Sequence, residues 1–139
     1  MPTPSKRSPS SPDSLVAQLS QRPQIDFEMD FFEAILVKIP DFAEVLHAQA
    51  ENLSVKGRPA DGLKVEERYV RLRPRDSTAH YNLACRYAVL QKRDQALSTL
   101  RRAVELGFRD VRSLTRDADL ASIRKDPRFR QLMSELKAK

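Results

Sequence analysis

The chain has 139 residues, enough for one domain with a modest core, and carries 40% apolar residues, no tryptophan and a formal net charge of +6. Three glycines and the lack of alternating β-branched runs exclude a typical sheet protein. The single cysteine suits a reducing compartment, and no apolar run reaches the roughly 18 residues that a membrane span needs. Composition therefore predicts a cytoplasmic helical protein without a membrane partner.

The N-terminal stretch and the first helix differ sharply in composition. Residues 1–25 are basic and rich in Ser and Pro, which predicts a disordered tail, with one or two helical turns at most over residues 14–20. Residues 26–39 place Phe27, Phe31, Ile35 and Ile39 four positions apart, the spacing of a helical stripe. Pro40 ends this helix.

Breakers and caps predict the later elements in order. Asp41 and Glu44 have the spacing of a capping box, Pro59 suits a first helical position, and Asp94 is a predicted cap. Gly107 suits the residue after a helix end. Six further helices are predicted, each of which begins or ends near one of these signals. They cover residues 42–55, 59–73, 77–90, 94–106, 111–115 and 126–136.

The sequence repeats at a constant interval. Pro40, Pro74 and Phe108 stand 34 apart, and Leu63 and Leu97 are one such pair among several. We call this interval the period. Its length is typical of two-helix units that stack because one unit cannot bury its apolar face alone. The predicted domain is 26–139, divided into a half repeat (26–42), two repeats (43–76 and 77–110) and a terminal cap (111–139).

Residues 77–110 resemble the tetratricopeptide repeat family. The residues that carry the resemblance are small or apolar at helix crossings: Leu83, Ala84, Tyr87, Ala96, Leu100 and Ala103. The tail beyond Gly107 is similar to the closing segment of many bacterial repeat proteins. The resemblance implies an all-α, right-handed α-solenoid with a C-terminal cap. Gly62, Glu66 and Tyr69 depart from the pattern in the preceding unit and predict a looser helix crossing there.

The resemblance also implies a function, that of a non-catalytic module binding a peptide or partner protein on the inner face of the stack. The matching inner-face positions are Glu44, His47, Glu51, Thr78, Tyr81, Asn82 and Cys85. Asn82 is the strongest candidate, because an amide can pair with both backbone groups of an extended peptide. The carboxylates favour basic or polar ligand residues at the N-terminal end of the groove.

The charge distribution leaves other partners open. Residues 26–76 have net charge −3 and residues 77–139 have net charge +7, so weak head-to-tail self-association is one alternative. Nucleic acid or another acidic polymer is a second alternative, although aromatic residues do not interleave with the arginines. A third is homo-oligomerisation through residues 26–39. Five arginines form a predicted basic edge: Arg101, Arg102, Arg109, Arg112 and Arg116. They are predicted to pair within the chain with Glu105, Asp110 and Asp117.

Catalytic and metal sites are not expected. Cys85 has no base at a suitable spacing, and His80 lies five residues away, about half a turn off the same helix face. Asp117, Asp119 and Asp126 lack the ligand spacing of a calcium loop and are predicted to cap helices and short turns. The sequence therefore predicts no enzyme, no cofactor and no bound metal.

Overall fold

A computed structural model describes residues 24–138 of the chain. The part of the chain that it describes is helical throughout and contains no strand, so the all-α prediction is confirmed there. The helices are α1 Gln24–Lys38, α2 Ala43–Val55, α3 Pro59–Leu72, α4 Ser77–Val89, α5 Arg93–Glu105, α6 Val111–Arg116 and α7 Pro127–Ala138, with a 3₁₀ turn at Ala118–Leu120 between the last two. The prediction for residues 1–23 lies outside the described residues, and residues 24 and 25 belong to α1 rather than to a tail.

Successive helices from α1 to α5 pack against one another, the 3₁₀ turn packs on α4, and α7 packs on α5. The first residues of α2 and α4 are one period apart, and so are the first residues of α3 and α5. The period of the sequence is therefore a period of helix pairs. It places residues that are one period apart at equivalent positions of α2 and α4.

The crossing of α4 and α5 is built on small side chains, as predicted. Ala84, Ala96 and Ala103 are completely buried, which lets the two helix backbones approach closely. Phe129 and Leu132 of α7 are buried in the same apolar cluster. Helix α7 therefore contributes these two side chains to the core.

Turn and cap residues mostly behave as the sequence indicates. Gly57 and Gly107 both adopt positive φ, at 78° and 112°, as glycine at a helix end allows. The carboxylate of Asp126 accepts a hydrogen bond from the backbone N–H of Arg128 at 2.9 Å, as expected of a helix cap.

Two predicted caps are wrong. Helix α2 has Phe42 at its N-cap and α5 has Lys92, and neither helix has a side-chain cap hydrogen bond. Asp41 instead lies 3.7 Å from Arg68, and Asp94 lies 2.9 Å from Arg128. Asp41 precedes the cap residue of α2 by one position, and Asp94 lies within the first turn of α5, so neither carboxylate occupies the cap position.

The predicted looser crossing is wrong at Gly62. A Cβ atom placed there would lie 2.9 Å from the hydroxyl oxygen of Ser54 and 3.0 Å from the carbonyl oxygen of Ala50. Helices α2 and α3 therefore approach so closely that only glycine fits without a shift of its neighbours.

Helix α1 is the most open element. It has no buried residue, and polar contacts join one side of it to α2. Gln49 donates a hydrogen bond to the carbonyl of Met29 at 3.2 Å, Asn52 donates to Glu28 at 3.3 Å, and Lys56 pairs with Asp26 at 2.9 Å.

Among the helices of residues 24–138, none combines the length and the apolar character that crossing a bilayer requires.

Candidate functional site

The predicted inner-face residues lie on the two equivalent helices α2 and α4. Glu44 and Thr78 are one period apart, as are His47 and Tyr81, and Glu51 and Cys85. Their environments nevertheless differ. The carboxylates on α2 are open, with the side chains of Glu44 and Glu51 72% and 61% exposed.

A network of charged side chains underlies the α2 half of the face. Glu66 of α3 is fully buried, and its carboxylate lies 3.3 Å from Nδ1 of His47 and 3.5 Å from Nη2 of Arg86. The same Nη2 atom donates to Glu51 at 2.8 Å. The network therefore joins α2, α3 and α4 through four charged or ionisable groups.

The electrostatics of the network favour a protonated His47. The hydrogen bond to the Glu66 carboxylate raises the pKa of His47 above its usual 6.5, against a lowering effect of burial. His47 also meets the ring of Tyr69 edge-on, at 5.1 Å between centroids. His47 is thus held by the protein and is only partly open to a ligand.

The sequence did not predict this network. Glu66 is a charged residue where the repeat pattern has an apolar one, and that mismatch is the signal in the sequence for a buried ion pair. Arg86 gave no signal, because an arginine on a predicted helix is ordinarily solvated. Its side chain is 8% exposed and sits between the two carboxylates.

The α4 half of the face is partly covered. Tyr81 and Cys85 are 6% and 4% exposed, so neither offers a ligand the open contact that the sequence analysis assigned to it. The Tyr81 hydroxyl donates to Asp117 at 2.7 Å, its ring stacks on Phe108 at 4.3 Å, and the Cys85 thiol lies 3.8 Å from Asp117. The segment after α5 therefore folds over both side chains.

Burial also sets the chemistry of Tyr81 and Cys85. Desolvation raises the pKa of the Tyr81 hydroxyl and of the Cys85 thiol well above their usual values, with nearby Asp117 adding to both shifts. A thiol with a raised pKa is a poor nucleophile at neutral pH. Both side chains therefore serve as packing contacts in the core rather than as reactive groups.

Thr78 and Asn82 remain open on α4. Thr78 is exposed and Asn82 is partly exposed. Both line an open cleft of about 490 Å³, whose opposite side is formed by Arg109 and Ser113. The structure thus brings these two predicted residues together, separately from the three on α2.

The basic edge is partly neutralised within the chain. Arg101 pairs with Glu135 at 2.9 Å and Arg102 with Glu105 at 3.7 Å, while Arg109 donates to the backbone carbonyls of residues 104 and 108. The predicted pairing with Glu105 is confirmed for Arg102. Asp110 and Asp117 instead serve as caps, accepting hydrogen bonds from the backbone N–H groups of residues 113 and 119.

Arg112 and Arg116 are two further basic residues after the cleft. Both are exposed on α6. They follow Thr78 and Asn82 by one period each in the sequence. They belong to the predicted basic edge and are not among the predicted groove residues.

One cluster has the composition of a metal site. The thiol of Cys85 and carboxylate oxygens of Asp117 and Asp119 lie within 4.8 Å of one another. Both oxygens of Asp117 already accept hydrogen bonds, from the hydroxyl of Tyr81 and the backbone N–H of Asp119. Hydrogen bonding within the chain accounts for the position of Asp117.

No family model matches the chain. A stretch of 59 residues is 36% identical to a chloroplastic protein of Arabidopsis thaliana. The stretch covers 42% of this chain but only 18% of that protein.

Proposed function

We propose that the chain is a repeat protein of the tetratricopeptide type, stacked as a right-handed α-solenoid with a C-terminal cap, that binds a peptide or partner protein without catalysis. The regular spacing of the helix pairs and the buried alanines of the α4–α5 crossing support the repeat assignment.

The observation that carries the binding proposal is the open cleft beside Thr78 and Asn82. Polar side chains that converge on a cleft are typical of ligand sites. The amide of Asn82 can donate to a backbone carbonyl and accept from a backbone N–H of a peptide lying across α4. An extended peptide offers both groups along its whole length.

The charges of the face suggest the chemistry of the ligand. Glu44 and Glu51 are exposed at the α2 end, and Arg112 and Arg116 are exposed at the α6 end. A peptide with basic residues toward α2 and acidic residues toward α6 matches both ends, which selects one orientation. Glu44 and Glu51 already contact Arg73 and Arg86, so the ligand must compete with internal partners.

A peptide array probed with the purified protein tests this function. Binding to the selected peptides is expected to fall about tenfold for Asn82→Ala, the effect of losing roughly 1.4 kcal/mol of hydrogen bonding. The matched control is Gln95→Ala, which removes an exposed amide from α5. Equal binding by the two variants would place the site elsewhere.

A salt series separates peptide binding from binding to an acidic polymer. Contacts to nucleic acid phosphates weaken steeply as salt rises, whereas a hydrogen-bonded peptide should dissociate much less. If duplex or single-stranded DNA binds with a steep salt slope and Asn82→Ala does not change it, the basic half of the chain is the functional surface instead.

A further inference from the structure

Helix α1 carries an apolar stripe that is only partly covered. Phe31, Ile35 and Ile39 are four positions apart and therefore lie on one side of the helix. The backbone N–H of Ile39 donates a hydrogen bond to the carbonyl of Ile35, so the helical hydrogen bonding continues past Lys38. Phe31 is 63% exposed and Ile39 is 51% exposed. We call these three residues the open stripe. Contiguous exposed apolar side chains of this kind usually mark a surface that another element covers.

Comparison with the later helices shows what is missing. Phe32, next to the open stripe, lies one period before Glu66 of α3 and two periods before Leu100 of α5. Glu66 and Leu100 are fully buried, and Glu66 contacts His47 on the first helix of its pair. Phe32 is only partly buried. Helix α1 therefore has the position of the second helix of a pair, and residues 24–138 contain no first helix for it.

We propose that residues 9–22 of the same chain cover the open stripe, docking through Leu15, Val16 and Leu19. These residues lie one period before Gln49, Ala50 and Leu53, all of which are buried on α2. The periodic pattern of the chain thus supplies a matching apolar set directly before α1. The short connection to α1 gives this segment a high effective concentration at the stripe.

Charge favours this segment over a second copy of α1. Helix α1 contains four acidic residues and one lysine, whereas residues 1–23 contain three basic residues and one acidic residue. Two α1 helices would bring like charges together, but the segment before α1 brings opposite ones.

The α2–α3 pair provides the geometry for a cross-linking test. A Cβ atom at Gly62 would lie 3.6 Å from the Cβ of Leu53, within the range of about 3.5–4.5 Å for a disulfide. The residues one period earlier are Leu19 and Glu28. In the full chain, Leu19→Cys with Glu28→Cys should therefore form an intrachain disulfide. The native Cys85 is buried and does not compete.

The control places the second cysteine on another side of α1. Leu19→Cys with Glu33→Cys spans 14 residues instead of nine, a difference that chain entropy alone turns into only about a twofold change in closure, and residue 33 is exposed and lines a cleft toward α3. Under mild oxidation, followed by mass spectrometry, the first pair should close about tenfold faster than the control pair, because docking raises the local concentration of the correct thiol. Circular dichroism checks that both variants keep their helices.

Three results would overturn the proposal. Equal closure rates, or no closure, would mean that the segment does not dock in this register. A disulfide between two chains would assign the open stripe to a second copy. As an independent check, Leu15→Asp in the Leu19→Cys/Glu28→Cys chain should remove the tenfold preference, whereas Ser14→Asp should leave it in place.

Discussion

Replacing Arg86 by methionine should lower the free energy of unfolding more than breaking any exposed ion pair among the described residues. The substitution keeps much of the side-chain volume but removes the cation that faces Glu66. Glu66 is fully buried, and its remaining ionic partner is the partly exposed His47. Removing one member of a buried ion pair typically costs about 3–5 kcal/mol, because the other charge stays in a medium that solvates it poorly. We expect the free energy of unfolding to fall by about that amount.

The magnitude can be checked by urea unfolding followed by circular dichroism. A double variant adds Glu66→Leu, which copies the leucine that occupies the equivalent position of α5, Leu100. It should recover most of the loss, because no uncompensated charge remains. The matched control is Arg73→Met, which breaks the exposed contact to Glu44 and should cost less than about 1 kcal/mol. If Arg86→Met costs no more than the control, or the double variant is no more stable than Arg86→Met, the buried network does not hold the helices together.

Three further predictions concern packing and pH. Ala103→Leu should lower the free energy of unfolding by about 1–3 kcal/mol, because the larger side chain overpacks the α4–α5 crossing. The control is Ala121→Leu at an exposed position, and equal thermal midpoints for the two variants would contradict the placement of Ala103 at the crossing. Gly62→Ala should also destabilise, although alanine gains about 1 kcal/mol of helix propensity, because the new Cβ would lie 3.0 Å from the backbone carbonyl oxygen of Ala50, which cannot rotate away as the Ser54 hydroxyl can. Urea unfolding gives the sign. The raised pKa of His47 should stabilise the fold fully below pH 6.5, the unfolded value, and progressively less as pH rises through the folded pKa. His47→Gln should remove that pH dependence, and an unchanged pH profile would show that His47 does not couple to folding.

The helix boundaries were predictable because they are determined locally. Proline cannot continue a helix and glycine readily takes positive φ, so Pro40, Pro59 and Gly107 marked ends that the structure confirms within a few residues. The failed caps show the limit of local reasoning. Asp94 has the right chemistry for a cap, but α5 begins one residue before it, at Arg93, and its carboxylate pairs with Arg128, which is a whole period away in sequence.

The candidate site was predictable only in part. The family resemblance predicted seven side chains on α2 and α4, six of them in pairs one period apart, and five of the seven are at least partly open. The sequence could not show that the segment after α5 covers Tyr81 and Cys85, because that contact depends on how Phe108 and Asp117 pack against α4, which a period in the sequence does not determine. It also could not place Arg86 between two carboxylates contributed by other helices.

The structure separates two sets of side chains on the same face. Tyr81, Cys85 and the inner atoms of Arg86 are engaged in holding the helices together and leave a ligand little to contact. Glu51 belongs to both sets, since it pairs with Arg86 while more than half of its side chain is exposed. A basic ligand group that approaches Glu51 need not release Arg86 into isolation, because the buried carboxylate of Glu66 still faces it. If the face binds a basic ligand group as proposed, Glu51 could exchange Arg86 for that group without leaving a buried charge uncompensated.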